Sequence, residues 1–467
     1  MKQQVWQRPR KVLGAVCLSA ASAIFAGTLT PVNAQTAAPA NPYAPSSAAP
    51  PPAAPSPQPA PVAAPAPSSP FIQFGSSIGK TLADAGVYLS GSYTEDLNSL
   101  VSGGLKTGTI PTGEFTLGAT FDLQKMIGIR EGSLHIIIDE RNGFGLSNGN
   151  IGDSAGLIPS GVGPTRATRL AEFYYEQGFY GDRIDVQIGR TNPTLNFATN
   201  DLGIDCGGFE SGYICAQPAS WYFSNDSIAF PGSTWGGFLN IQTTPHTYFR
   251  TGVFDDDLSQ LDANQQGLNF NVKGSAGVML PLEIGYQTSL SDARYNGKYD
   301  IGGYWDDANY TTPAGVPMRG RTAYYAQASQ TIWRPNPNTN QSIALFGGGI
   351  AYTGGAPYWG QMYAGAIDRA PFGAIRPDDT LSVLGSYFAN SSNERPNAPQ
   401  MWAYEVNYKF QVIPGLTFRP YTQYVVAPNN LLDQFASVKE PSNAWVVGFQ
   451  VSIDFAAFLG FPQFVAY

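Results

Sequence analysis

Apolar and polar residues alternate one for one in many short stretches of this chain, most plainly at Val447-Gly448-Phe449-Gln450-Val451-Ser452-Ile453-Asp454-Phe455. Successive side chains of a strand point to opposite faces, so the odd positions make a greasy face and Gln450, Ser452 and Asp454 a wet one. The same pattern sets Val87, Leu89 and Tyr93 against Tyr88, Ser90, Ser92 and Thr94. It sets Phe115, Leu117, Ala119 and Phe121 against Glu114, Thr116, Thr120 and Asp122. Leu134, Ile136 and Ile138 oppose Ser133, His135 and Asp139, and Ile184, Val186 and Ile188 oppose Arg183, Asp185 and Gln187. Tyr404, Val406, Tyr408 and Phe410 oppose Glu405, Asn407 and Lys409, and Leu416 and Phe418 oppose Thr417, Arg419, Tyr421 and Gln423. Fainter alternation near 169–178, 235–243, 247–254, 267–274, 280–289, 321–332, 342–352, 359–367 and 378–389 brings the total to about sixteen strands, an even count that suits a bacterial barrel. Turns at 128–132, 178–182 and 412–415 are short. Connections at 141–168, 191–234, 290–320 and 390–401 are long and rich in Gly, Asn, Asp and Pro. Before the first strand, Ile78, Leu82 and Ala85 recur at helical spacing and predict a short helix over 71–85.

Whether the greasy faces meet in a dry core or look out at lipid decides the function. Charged residues make up only 13% of the chain, about half the usual soluble share, while 43% are hydrophobic. Yet the region after the N-terminus has no run of roughly 20 apolar residues that could cross a bilayer as a helix. Low charge, abundant Tyr and Phe and no membrane helix favour a transmembrane antiparallel β-barrel with oily residues outward. The wet faces carry Glu114, Asp122, Asp139, Arg183, Asp185, Glu405, Lys409 and Arg419, which a dry sandwich core would bury at a cost. Aromatics at strand ends (Phe115, Phe121, Tyr404, Phe410) fall where interfacial girdles belong. The competing fold is a secreted β-sandwich. In a barrel, the long connections 141–168 or 191–234 are the ones expected to fold inward and narrow the lumen.

Three regions divide the chain. Residues 1–34 have the form of an export signal: Lys2, Arg8, Arg10 and Lys11 precede an apolar stretch, and Val32-Asn33-Ala34 offers a cleavage site. Residues 35–70 are almost wholly Ala, Pro, Ser and Thr, which predicts a disordered tether with too little apolar surface to pack. Residues 71–467 are the barrel domain. The formal charge is −8, and removing the basic N-terminus makes it more negative, which argues against a nucleic-acid partner. Cys17 falls in the export signal, leaving Cys206 and Cys215 around a Gly-rich loop as a disulfide candidate suited to an oxidising compartment.

Several further stretches together resemble the carbohydrate-selective porins of the OprB family. They are Gly103-Gly104-Leu105, Phe121-Asp122-Leu123-Gln124-Lys125-Met126, Arg169-Leu170-Ala171-Glu172-Phe173-Tyr174-Tyr175-Glu176-Gln177 and Ile188-Gly189-Arg190. Arg376-Pro377-Asp378-Asp379 and Pro420-Tyr421-Thr422-Gln423-Tyr424, with Pro428, complete the series, and the resemblance covers 71–455. The resemblance implies a sixteen-stranded outer-membrane pore of a Gram-negative bacterium that passes glucose and related sugars by diffusion. The chain departs from the family in its long Pro/Ala tether and in continuing from Ala456 to Tyr467, so Phe455 and Tyr467 compete as the barrel-assembly signal.

A sugar pore needs hydrogen-bonding groups and flat aromatic faces at modest affinity, and no nucleophile. Glu114, Asp139, Arg141, Arg166, Arg169, Glu172, Glu176, Arg183, Asp185 and Arg190 are the constriction candidates. Acidic and basic walls facing one another would set up a transverse field that favours neutral polar solutes over ions. Each of these residues has the plainer alternative of a lumen-solvating or salt-bridged group. No nucleophile motif accompanies His135 or His246, which are expected in the lumen wall and in a turn. Asp255-Asp256-Asp257 has the acid density of a Ca²⁺ site but is more simply a solvated loop. The chain is therefore expected to be neither an enzyme nor a cofactor protein. Its implied partners are small sugars as solutes, outer-membrane lipid and the barrel-assembly machinery, with a homotrimer left open. The alternatives are a general or ion-preferring diffusion porin and a secreted β-rich carbohydrate-active enzyme or lectin.

Overall fold

The computed structural model describes residues 72–143, 145–152, 168–181, 183–199, 208–211, 230–290, 293–311, 317–353, 358–390, 400–428 and 441–466. The export signal, the Pro/Ala tether, Arg166, Cys206 and Cys215 lie outside the described residues. A helix, α1 (Ile72–Asp84), precedes β1 (Val87–Gly104), β2 (Gly108–Asp122), β3 (Gly132–Gly143), β4 (Thr168–Phe179), β5 (Ile184–Thr191), β6 (Thr234–Gln242), β7 (Thr247–Asp256) and β8 (Gly277–Gln287). Next come β9 (Gly297–Thr311), β10 (Pro317–Trp333), β11 (Ser342–Tyr352), β12 (Tyr358–Arg369), β13 (Thr380–Asn390), β14 (Met401–Ile413), β15 (Leu416–Val426) and β16 (Ser442–Asp454). Short helices α2 (Leu123–Ile127) and α3 (Phe455–Leu459) succeed β2 and β16. Every strand pairs antiparallel with its neighbours in sequence, and β1 closes on β16. Closure leaves no unpaired edge, which is what allows strands to stand in hydrocarbon.

Burial along the strands decides the orientation. On β8, Val278, Leu280, Leu282, Ile284 and Tyr286 are exposed, while Met279, Pro281, Glu283 and Gly285 are buried. On β14, Trp402, Tyr404 and Val406 are exposed and Glu405 and Asn407 buried. A sandwich would show the reverse. The oily residues therefore look away from the barrel axis and the polar ones toward it. The outward aromatics form two bands on β13–β16. Tyr387, Trp402 and Tyr404 stack in one, and Tyr408, Phe410, Phe418 and Phe449 in the other. Val406 on β14 lies between them on the outer face.

Two strand assignments from periodicity need correction, although the count of sixteen holds. Residues 267–274 alternate but form no strand. They lie in the connection after β7, where the Asn269 carbonyl accepts from Arg190 and the Phe270 carbonyl from Trp235. The segment 290–320 is not a loop throughout: β9 occupies about half of it. Its inward Asp300, Asp306 and paired Gly302-Gly303 gave it the composition of a turn, yet Asp300 and Asp306 are buried. Asp255-Asp256-Asp257 is not a solvated loop either. It ends β7, with Asp256 and Asp257 buried, and the Asp257 carboxylate accepts from Ser259 N and Gln260 Nε2. The helix predicted over 71–85 is α1.

Candidate pore and constriction

The connection after β5 enters the barrel, as its length suggested, and its described residues take partners in order around the inner wall. Asn196 donates to Gln187 Oε1 on β5 at 3.1 Å, and its carbonyl accepts from Arg250 on β7 at 3.0 Å. Phe197 is fully buried, edge-on to Phe238 of β6 with ring centres 5.5 Å apart, and it also meets Phe254 of β7. The Ala198 N–H is taken by Glu283 of β8, whose carboxylate also accepts from Tyr325 of β10 at 2.6 Å. The Thr199 carbonyl accepts from Lys298 of β9 and from Gln327 of β10. Further along, Phe209 packs on Phe346 of β11, in a cluster with Ile367 of β12 and Leu384 of β13.

The far leg ends on β14 and β15. Glu405 accepts from the backbone N–H groups of Glu210 (2.9 Å) and Ser211 (2.8 Å) and from Asn407 and Gln423. Asn407 in turn donates to the Gly208 carbonyl at 2.9 Å. Arg419 hydrogen-bonds the Glu210 carboxylate, and both side chains are almost wholly buried. Burial pushes the Glu210 carboxyl well above the usual carboxylate range, and Arg419 opposes that push. An inward connection carries backbone N–H groups that water no longer reaches, so each needs an acceptor. Here the lumen-facing carboxylates of β8 and β14 supply them. The described part of this belt therefore thickens the wall from β6 to β15.

On β2–β4 the inward charges pair with each other instead. Register sets Glu114 opposite Arg141 and Asp139 opposite Arg169. Arg141 Nε lies 2.5 Å from Glu114 and 3.6 Å from Asp139. A bulge at Ala171, between the pairings of Ile137 and Ile138, puts Glu172 opposite Ile137, so Arg169 and Glu172 face inward three residues apart. Glu172 accepts from Asn192, the first residue after β5, at 3.3 Å. Lower on the same strands, Glu176 lies 3.0 Å from His135, whose ring also meets Ser133 and Thr120. His135 is in the lumen wall and His246 in the β6–β7 turn.

The ten candidates thus separate. Glu114, Asp139, Arg141, Arg169, Glu172 and Glu176 share the inner face of β2–β4, and Asp185 on β5 lies beside Glu176. Arg183 is exposed in the β4–β5 turn. Arg190 leaves the group altogether. Register sets it opposite Phe173 and Trp235, on the face opposite Gln187 and outside the lumen. There it is buried under the connection after β7, donating to Asn269 O and Ser233 O. The acids and bases that do meet sit side by side on one wall, so two facing walls of opposite charge are not what these residues build. Sequence reasoning missed the belt's anchors as a set: Glu283, Lys298, Gln327, Glu405, Asn407 and Arg419. Their polarity on wet faces was visible, but their partners lie far away in sequence.

A closed barrel with oily and aromatic residues outward and a connection folded into a charged lumen defines an outer-membrane porin. Residues 106–455 match the family model described as "Carbohydrate-selective porin, OprB family", and the chain belongs to that family. Among its relatives, Porin B of Pseudomonas aeruginosa is 24% identical over 417 residues, covering 80% of this chain and 86% of that protein. A putative porin, QuiX, of Acinetobacter baylyi is 24% identical over 409 residues, covering 80% and 88%. The structure of Pseudomonas putida OprB at high pH superposes with a TM-score of 0.69 at 21% identity, covering 80% of this chain and 96% of that one. The protein is accordingly a carbohydrate-selective porin of the Gram-negative outer membrane.

Proposed function

We propose that the pore passes glucose and related neutral sugars by passive diffusion into the periplasm. The observation that carries this is the row Glu114, Arg141, Asp139 and Arg169, in which acid and base alternate across neighbouring strands. Glu114 and Arg141 are partly exposed beside the buried Asp139 and Arg169, and such a row offers a hydrogen-bond donor and acceptor at fixed spacing with little net charge, which suits a polyhydroxylated solute better than an ion of either sign. The family description and the relatives named as porins support the same conclusion. The test is swelling of liposomes containing the purified protein. Glucose should enter faster than neutral solutes of similar size and faster than charged ones. Equal rates for all would make it a general diffusion porin.

Residues 1–34 are proposed as the export signal and 35–70 as a tether. Phe455 is proposed as the residue read by the barrel-assembly machinery, because it continues the outward alternation of β16 and its ring lies 5.8 Å from that of Phe115.

A further inference from the structure

The chain does not stop at β16, and its last described residues are built into the barrel's mouth. Asp454 caps α3 by accepting from Ala457 N at 2.9 Å, and Gly460 ends the helix with φ 71°. The tail then runs back along α1. A side chain at Gly75 would meet the Leu459 carbonyl at 2.1 Å, and one at Gly79 would meet the Phe461 ring at 2.7 Å and the Pro462 ring at 2.9 Å. Two glycines one helical turn apart thus let the tail pack closely on α1, its backbone at Gly75 and its Phe461 and Pro462 rings at Gly79, which fixes where the tail points.

It points to lumen-facing side chains. Register aligns Tyr88, Thr120, His135 and Tyr174 in one row across β1–β4. The Phe464 ring stands edge-on to Tyr88 at 5.3 Å and to His135 at 6.0 Å, and His135 stacks on Tyr174 at 4.6 Å. Beside these rings, Ser133, Thr120 and Glu176 each lie within hydrogen-bonding distance of the His135 imidazole. Rings beside clustered donors and acceptors suit a sugar, whose C–H faces are apolar and whose rim is hydroxylated. His135 lies four residues down β3 from Asp139, about 13 Å along the strand, so this station is separate from the charged row.

We propose that the C-terminal tail is a working part of the pore and that Phe464 is a second sugar-contacting residue, set below the charged row. This rests on the sugar-pore function proposed above. The test is single-channel recording of the full chain in planar bilayers, with glucose titrated from the side of the termini. Phe464→Ala and Phe464→Leu should each raise the half-blocking glucose concentration severalfold, while Phe464→Trp restores it. Leucine keeps apolar bulk without a ring, so it separates a stacking contact from a mere anchor for the tail. Gly79→Leu, which keeps the Phe464 side chain but displaces Phe461 and Pro462 and so moves Phe464 off the lumen wall, should show the same loss as Phe464→Ala. If glucose blocks the parent channel and all four variants alike, Phe464 is no contact and the sugar pore stands. If glucose blocks not even the parent channel, the sugar pore itself is overturned, and this contact with it.

Discussion

Two stretches of the inner wall carry similar charged residues and use them differently. From β6 to β15, Glu283, Lys298, Glu405 and Arg419 are spent on the inward connection, holding its buried N–H groups, its carbonyls and the Glu210 carboxylate. On β2–β4, Glu114, Arg141, Asp139 and Arg169 pair sideways across neighbouring strands on the inner face, where Glu114 and Arg141 stay partly exposed and Asp139 and Arg169 are buried. A charge on this barrel's wet face is therefore either an anchor for the connection or a partner within the wall. What separates the two is whether a backbone segment has come to claim it.

Breaking an anchor should have the largest effect. Arg419→Ala leaves Glu210 buried without its cation, and stranding one partner of a buried pair costs on the order of 3–5 kcal/mol. Released belt residues should widen the pore, so conductance should rise severalfold with added current noise, and Glu405→Ala should do the same. Unchanged conductance in both would mean that the belt does not narrow the passage.

The β2–β4 wall should respond in selectivity and not in noise. Arg169→Ala and Glu172→Ala are expected to slow glucose entry into liposomes severalfold while the current stays quiet. Arg190→Ala is the control from the other face. Glucose entry should match the parent, but losing its bonds to Asn269 and Ser233 should lower stability by about 1–3 kcal/mol. Slowed entry in Arg190→Ala, with none in Arg169→Ala, would reverse the assignment of faces.

Alternation carried the fold a long way, and it also held information that the choice of site residues overlooked. Ile184, Val186 and Ile188 are the greasy positions of β5, and Arg190 is the next residue on that same face. Its charge suggested the lumen; its parity did not. The strand β9 was hidden because Asp300 and Asp306 line a wet interior, where acids look like loop acids in a linear sequence. The match between Glu210 and Arg419 spans 209 positions, and no local pattern reports a partner that distant. Residues 267–274 failed in the opposite sense. Their alternation is real, but the segment covers Arg190 instead of joining the ladder.

The smallest expected effect lies in a turn. Burial alone would raise the Asp379 carboxyl, but Arg376, the Tyr408 hydroxyl and the Gln411 N–H outweigh it and hold Asp379 below the usual carboxylate range. A depressed folded value means that the stabilisation is present above the unfolded value and is lost as pH falls through the folded one. Asp379→Asn should therefore unfold more easily than the parent at neutral pH and converge with it in strong acid. A constant gap across that range would mean that charge plays no part in this clasp.

The central claim, that polar faces line a water-filled passage while oily faces meet lipid, is tested most directly by thiol labelling during single-channel recording. Glu114→Cys places a thiol on the inner face, where the Glu114 side chain is 21% exposed, and Ile188→Cys places one on the outer face, where Ile188 is 60% exposed. A charged, membrane-impermeant thiol reagent should cut the current in a discrete step at position 114 and leave it unaltered at 188, against a background of Cys206 and Cys215 replaced by Ser. A step at 188 with none at 114 would contradict the account.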